Sequence, residues 1–456
     1  MPPPFVMPKS PVLGVLARCF ATGEPGVDQI VARSSQALGR PWRWLRSLAQ
    51  RYVAAIAGRT RPRHRDVLHF LRLDAGFQDA WSKYGNRISV EHWLTGPQVM
   101  QPVAAAASWA IPAIETAGAL AEWLTAGHGE LQWFADLKGL GYKKSGTRLR
   151  HYHYRALTKQ FGSIRLIEAP KPRLKAMQRQ ILERILDPIP AHPAVHGFVK
   201  GRSIQSFAAP HVGRRVVLKM DLQDFFPSFA GSRVQTFFRT AGYPETVADL
   251  LGGICTNAAP RNLWVHSGVH PGGYATGEVE LRQLGEARAL YARPHLPQGA
   301  PASPAIANLC FYRIDCRLAG LAAAAGARYT RYADDLAFSG DEEFERRAGR
   351  FSIHVAAILL EEGFSVHHRK TRIMRQGVRQ QLAGLVVNRR INIRRSDFDR
   401  LKATLTNCIR HGPESQNREA HPRFRAHLEG RVAFVEAVNP AKGRRLCALL
   451  LQIQWP

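Results

Sequence analysis

The 456-residue sequence predicts an α+β fold with an α-helical N-terminal extension. Three observations predict it. A short apolar, β-branched run, Val216–Met220, has the length and composition of a buried strand and ends on an acid, Asp221. A strand–turn–strand pattern over Arg328–Ser339 encloses two adjacent acids, Asp334 and Asp335. Helical spacing of apolar residues recurs outside these strands. Leu174, Met177, Ile181, Leu182 and Ile185 fall on one face of the stretch 171–186, which Pro170 and Pro188 bound. Near the end, Leu401, Leu405, Cys408 and Ile409, then Leu446, Leu449, Leu450 and Ile453, repeat the spacing.

The remaining elements follow in order. Residues 1–130 read as mostly helical with loops, including an Ala-rich helix over Gln101–Leu124 and a basic run from Arg59 to Arg65. Tyr152–Ile167 has strand-like patterning, and Pro304–Leu318 reads as a helix after a Pro/Gly turn. Gln381–Ile393 reads as a hairpin turning at Asn388-Arg389-Arg390. The most apolar stretch, Val103–Leu124, is broken by Pro112 and Glu115, so no membrane partner is expected. The N-terminus lacks the apolar core of a signal peptide. Six scattered cysteines form no C-x-x-C pair, which argues against a zinc ribbon and fits reduced thiols in a cytoplasmic compartment.

Charge narrows the function. There are 64 Lys and Arg against 35 Asp and Glu, a net +29, and hydrophobic residues make up 45%, enough to build a core. A folded chain this basic holds polyanions, with nucleic acid the first candidate. The first 130 residues carry only 14 basic and 9 acidic residues. The stretch from Arg389 onward carries 14 basic and 6 acidic ones, so the amphipathic tail is strongly positive.

Against this background the acids stand out. Adjacent carboxylates between apolar strands repel one another and resist desolvation. A divalent cation removes that cost: Mg²⁺ takes a few carboxylates together with substrate phosphate oxygens, and two such ions suit transfer at a phosphate. A hairpin turn can present Asp334 toward Asp221 across one sheet. The bland alternative, a polar turn and an ordinary strand end, would hold for a lone Asp-Asp. No phosphate-binding loop and no G-x-S-x-G nucleophile elbow occurs.

Five stretches carry a resemblance. Leu218-Lys219-Met220-Asp221-Leu222-Gln223-Asp224-Phe225-Phe226, Leu296-Pro297-Gln298-Gly299 and Tyr332-Ala333-Asp334-Asp335 resemble the motifs of reverse transcriptases. His196-Gly197-Phe198-Val199-Lys200-Gly201-Arg202 and Gly384-Leu385-Val386-Val387-Asn388 are similar to bacterial retron enzymes. The resemblance implies a right-hand polymerase fold: fingers at 131–215, palm at 216–394 with an insertion at about 252–293 and a primer-grip hairpin at 381–393, and a helical thumb at 395–456. It implies that Asp221, Asp334, Asp335 and the Leu222 backbone hold two Mg²⁺ ions. It places Phe226 as the gate against a ribose 2′-hydroxyl, with Lys159, Arg165 and Gln298 on the dNTP. Lys370 would lie near the triphosphate or donate a proton to pyrophosphate.

The implied function is copying of a cognate structured non-coding RNA, serving as template and primer, into a branched RNA–DNA hybrid. Anti-phage defence with an effector protein is the implied role. Two motifs depart from the retron pattern: Phe207 stands where an Asn is usual before Ala208 and His211, and Leu382-Ala383-Gly384 replaces Val-Thr-Gly. A related defence reverse transcriptase and a non-catalytic RNA-binding scaffold are the alternatives. A maturase is disfavoured, since only about 65 residues follow the hairpin.

Overall fold

The computed structural model describes residues 11–57, 62–93, 98–143, 150–158, 164–264 and 278–455. They form two compact units, Met1–Pro190 with Phe229–Ile306, and Ala191–Ser228 with Ala307–Pro456.

In the first unit, helices Pro11–Ala21, Val27–Ala37, Arg43–Ile56, His64–Leu73 and Ala75–Tyr84 enclose a core of Leu16, Ile30, Leu45, Leu48, Tyr52, Val67, Leu71 and Phe77. Asp74 both caps the last of these helices, accepting from the Phe77 amide at 2.7 Å, and takes two 2.7 Å bonds from Arg51. The extension is tied into the rest of the unit. Arg63 donates to Gln235 at 2.6 Å and to Asp249 at 3.2 Å, and the His64 amide donates to Glu245 at 2.7 Å. The Ala-rich stretch 101–124 is not the continuous helix its composition suggests. Only a turn at Ala104–Ala106 and the helix Ala117–Trp123 form. Pro102 and Pro112 interrupt it, and Thr116 caps the later helix by accepting from Ala119 at 3.0 Å.

Strands β1 (Tyr152–Thr158) and β2 (Ile164–Pro170), in the stretch with strand-like patterning, pair antiparallel. Alternate residues of β2 point inward: Ile164, Leu166, Glu168 and Pro170 are buried. Helix Pro172–Ile181 runs on into a π turn at Leu182–Leu186, matching the stretch read from its periodicity. The stretch 252–293 joins the core at both ends. Ile254 and Cys255 are buried in helix Glu245–Cys255, and Ala287 and Tyr291 of helix Glu278–Tyr291 pack with Ile164 and Leu166.

The second unit is built on β3 (Val216–Gln223). A hairpin of β4 (Arg328–Tyr332) and β5 (Asp335–Gly340) adds to one side through β5. On the other side β6 (Ser365–Val366) and β7 (Arg372–Arg375) pair with successive halves of β3, all antiparallel. Strands β8 (Gln381–Leu382) and β9 (Leu385–Val386) form a tight hairpin. Its turn is at Ala383-Gly384, both at positive φ (44° and 85°), and not at Asn388–Arg390. That second polar stretch makes a further reversal, returning Asn392 to Val386 through bonds of 2.7 and 3.0 Å. Helices Arg395–His411, Phe424–Val438 and Pro440–Leu450 follow. Their Leu401, Leu405, Leu428, Val432 and Leu446 share a core with Leu382, Leu385, Val217, Ala337 and Phe207. The six cysteines are free, and among the described residues no helix is long and apolar enough to cross a membrane.

The departure at Phe207 has a packing reason. Its fully buried ring contacts Tyr332 (5.8 Å between centroids) and His211 (6.3 Å). Thr330 spends its hydroxyl proton on the Phe207 carbonyl at 3.0 Å, so His211 donates from Nε2 to Thr330 at 2.8 Å and accepts at Nδ1 from Ser339 at 2.6 Å. Burial pushes this imidazole down to about 3, so it is a neutral structural linker. Truncating the neighbouring ring, Phe207→Ala, should cost about 3–5 kcal/mol in equilibrium denaturant unfolding, as buried Phe truncations do.

Candidate active site

The three aspartates meet because of strand register. Asp221 is the direct partner of Asp335 on the β3–β5 ladder, and the Leu222 amide donates to the Asp334 carbonyl at 2.9 Å. Neighbours directly opposite on antiparallel strands have side chains on one face. Lys219, two residues before Asp221, shares that face, and its ammonium lies 2.9 Å from Asp335 Oδ1. From the other side, Lys370 reaches Asp221 at 3.0 and 3.3 Å. The His367 amide donates to the Asp221 carbonyl at 2.7 Å, which holds β6 and the Lys370 turn against β3.

The turn that carries Asp334 is braced from below. Ala333 sits at φ 52°, and Arg331, completely buried, clamps Asp315 with bonds of 2.8 and 2.7 Å. The same guanidinium donates to Asn308 at 3.0 Å and to the Ala333 carbonyl at 3.2 Å. Its face lies 4.6 Å from the Phe311 ring. Gly197 closes the arrangement. A Cβ there would lie 2.6 Å from the Ala333 amide nitrogen, so only glycine lets this backbone approach the turn.

Electrostatics marks the site. Burial and then the charges of Asp221 and Asp335 push the Asp334 carboxyl from an ordinary 3.8 to about 6. Asp335 is also raised by burial, with Lys219 opposing the shift. Hard carboxylate oxygens that repel one another suit a divalent cation, and two lysines bring positive charge against them. Among the described residues no three His, Cys, Asp or Glu side chains form a ready-made metal site. The carboxylates of Asp221 and Asp335 are each engaged by a lysine instead.

The other expected residues divide. Phe225 packs in the core against Phe311 (5.8 Å) and Phe364 (6.3 Å), while Phe226 is half-buried beside it. Arg165 and Gln298 belong to the first unit: Arg165 is half-buried on β2, and the Gln298 carbonyl accepts from the Glu168 amide of the same strand at 2.8 Å. Lys159 lies outside the described residues. Lys219 and the Arg331–Asp315 pair escaped the sequence reading. Lys219 was signalled by the two-residue period of its strand; nothing local connects Arg331 to Asp315.

Comparison with known proteins identifies the family. Residues 157–393 match the family described as "Reverse transcriptase (RNA-dependent DNA polymerase)". The chain belongs to the reverse transcriptases. It is 42% identical to the retron Mx65 reverse transcriptase of Myxococcus xanthus over 66% of this chain and 64% of that protein. It is 36% identical to the retron Mx162 reverse transcriptase of the same organism, over 75% of this chain and 67% of the relative. Similarity to the retron Ec86 reverse transcriptase of Escherichia coli is 29% over 64% and 77%. Within the family, then, this is a retron-type chain.

The raised Asp334 carboxyl predicts a pH signature. A carboxyl raised on folding stabilises the fold fully below its unfolded value, near 3.8, and loses that contribution as pH rises through about 6. In metal-chelating buffer the stability of wild type relative to Asp334→Asn should therefore fall by up to about 3 kcal/mol between pH 4 and 7, read from denaturant midpoints. A difference independent of pH would contradict the carboxylate crowding described above.

Proposed function

We propose that this chain is an RNA-directed DNA polymerase that copies a cognate structured non-coding RNA into branched RNA–DNA. The observation that carries the proposal is the pairing of Asp221 with Asp335 on one ladder step, with Asp334 in the adjoining turn under the charge of both, in a chain of net +29. A scaffold that only binds RNA gains nothing from crowding three acids where its ligand is an anion.

In this proposal Asp221, Asp334, Asp335 and the Leu222 backbone hold two Mg²⁺ ions. When bound, the ions supply charge neutralisation for the attacking hydroxyl and the leaving pyrophosphate. The chain's own groups do the rest. Phe226, half-buried beside the fixed Phe225, excludes a 2′-hydroxyl and selects dNTPs. Arg165, with Lys159, offers forked and point-charge contacts to the triphosphate. Gln298 contributes to the nucleotide pocket. Lys370, already 3.0 Å from Asp221, is placed to follow the negative charge that a substrate brings.

The fingers–palm–thumb assignment is part of the proposal. The β3–β7 sheet serves as palm, the β8–β9 hairpin as primer grip and the three C-terminal helices as thumb. Cations along the thumb track an RNA–DNA duplex by its backbone and shape. Priming from a 2′-hydroxyl of the RNA, a cytoplasmic location and service in anti-phage defence with an effector protein complete the reading, on the strength of the retron relatives.

The test is direct. Asp334→Ala should reduce Mg²⁺-dependent dNTP incorporation on an RNA template below detection while RNA affinity stays within about twofold, because in this proposal the removed group holds the ions and does not grip the RNA. Retained polymerisation by the folded variant would falsify the proposal.

A further inference from the structure

Glu168 and His295 are 127 residues apart and both almost completely buried, at 0% and 1% exposure. His295 Nε2 lies 2.8 Å from Glu168 Oε2, and His295 Nδ1 donates to the Arg293 carbonyl at 2.6 Å. The second carboxylate oxygen accepts from Asn257 Nδ2 at 2.8 Å, and the same amide donates to the Tyr154 hydroxyl at 3.0 Å. Burial alone would push the imidazolium down; the charge and hydrogen bond of Glu168, with the Arg293 carbonyl, outweigh it and hold His295 above its ordinary range. The cluster is closed by backbone: Asn257 and His295 exchange two 2.9 Å amide–carbonyl bonds. The Tyr291 ring stands edge-on to His295 at 5.3 Å, and its hydroxyl accepts from the Leu166 amide at 3.2 Å.

A buried charged pair is a poor investment in stability alone, since apolar side chains of similar size would serve as well. Its position supplies a reason. His295 lies three residues before Gln298, and Glu168 makes both the ion pair and the amide bond to the Gln298 carbonyl. Gly299, at φ 127°, rests on the Glu168 carbonyl, where a Cβ would come within 3.0 Å. The Gln298-Gly299 backbone is thus seated on β2 at the residue that His295 and Asn257 grip.

We propose that Glu168, His295 and Asn257 are positioning residues that fix the Gln298–Gly299 segment and thereby set the apparent affinity for the incoming dNTP. The proposal rests on the reading of Gln298 as a nucleotide-pocket residue. None of the three needs to touch the nucleotide; they act through the backbone they hold.

The experiment measures KM and kcat for single dNTP incorporation by the full-length chain on an RNA template with an annealed DNA primer. Gln298→Ala tests the underlying reading: it should raise the dNTP KM, and an unchanged value would remove the pocket role and this proposal with it. Given that rise, Glu168→Ala should raise the KM about tenfold and Asn257→Ala about threefold, with kcat and template affinity within about twofold. Glu168→Gln should restore a KM within about twofold of wild type. Its amide donates to the Nε2 of a neutral His295 and its carbonyl still accepts from Asn257. Glu168→Ala combined with Gln298→Ala should be no worse than Gln298→Ala alone. A folded Asn257→Ala with wild-type KM, or additive effects in the double variant, would overturn the proposal even where Glu168→Ala fails to fold.

Discussion

Repulsion among Asp221, Asp334 and Asp335 is the constraint around which the second unit is arranged. With Asp221 and Asp335 partnered by the register of β3 and β5 and Asp334 beside them in the turn, the carboxylates are crowded and largely withdrawn from water, and Asp334 is driven up to about 6 as a result. Every neighbour answers that cost. Lys219 and Lys370 flank the acids at 2.9 and 3.0 Å, and the Leu222 and His367 amides fix the backbone on either side of Asp221. Charges in this position are expensive for a fold and inexpensive once a cation is present, which is the state a phosphoryl-transfer site works in.

Holding a strained, charged turn in place needs a rigid foundation. Arg331 and Asp315 provide it. Their pair is fully buried and well satisfied, with further bonds to Asn308 and to Tyr329, whose hydroxyl reaches Asp315 at 2.7 Å. Removing either partner would strand a charge in the core. Gly197, carried by the segment that donates its His196 amide to the Arg331 carbonyl at 2.7 Å, packs the turn from the other side. In the first unit a second buried pair, Glu168 with His295, stands in the same relation to the Gln298 segment. Each unit thus seats a backbone segment on a buried ion pair.

Much of this was legible in the sequence, for identifiable reasons. The apolar run of β3 and the strand–turn–strand around Asp334 declare themselves because both faces of β3 are buried and the acids interrupt an otherwise apolar pattern. The helices after Arg395 declare themselves by their spacing. The stretch 101–124 misleads because alanine favours helix while Pro102 and Pro112 forbid a continuous one. The reversal at Asn388-Arg389-Arg390 is read correctly, but the tighter turn before it is missed because Ala383 adopts a left-handed conformation that its side chain does not advertise. The tie of Arg63 to Asp249, and the pairs Arg331–Asp315 and Glu168–His295, are tertiary. No local pattern joins residues that lie 186, 16 and 127 positions apart.

The central proposal is that the three aspartates hold divalent cations. Thermal unfolding of the metal-stripped protein, repeated with added Mg²⁺, tests it most directly, because an ion that binds only the folded state raises the midpoint. The account predicts a rise in the wild type that disappears when Asp221, Asp334 and Asp335 are all replaced by Asn. No rise in the wild type, or an equal rise in both proteins, would contradict it.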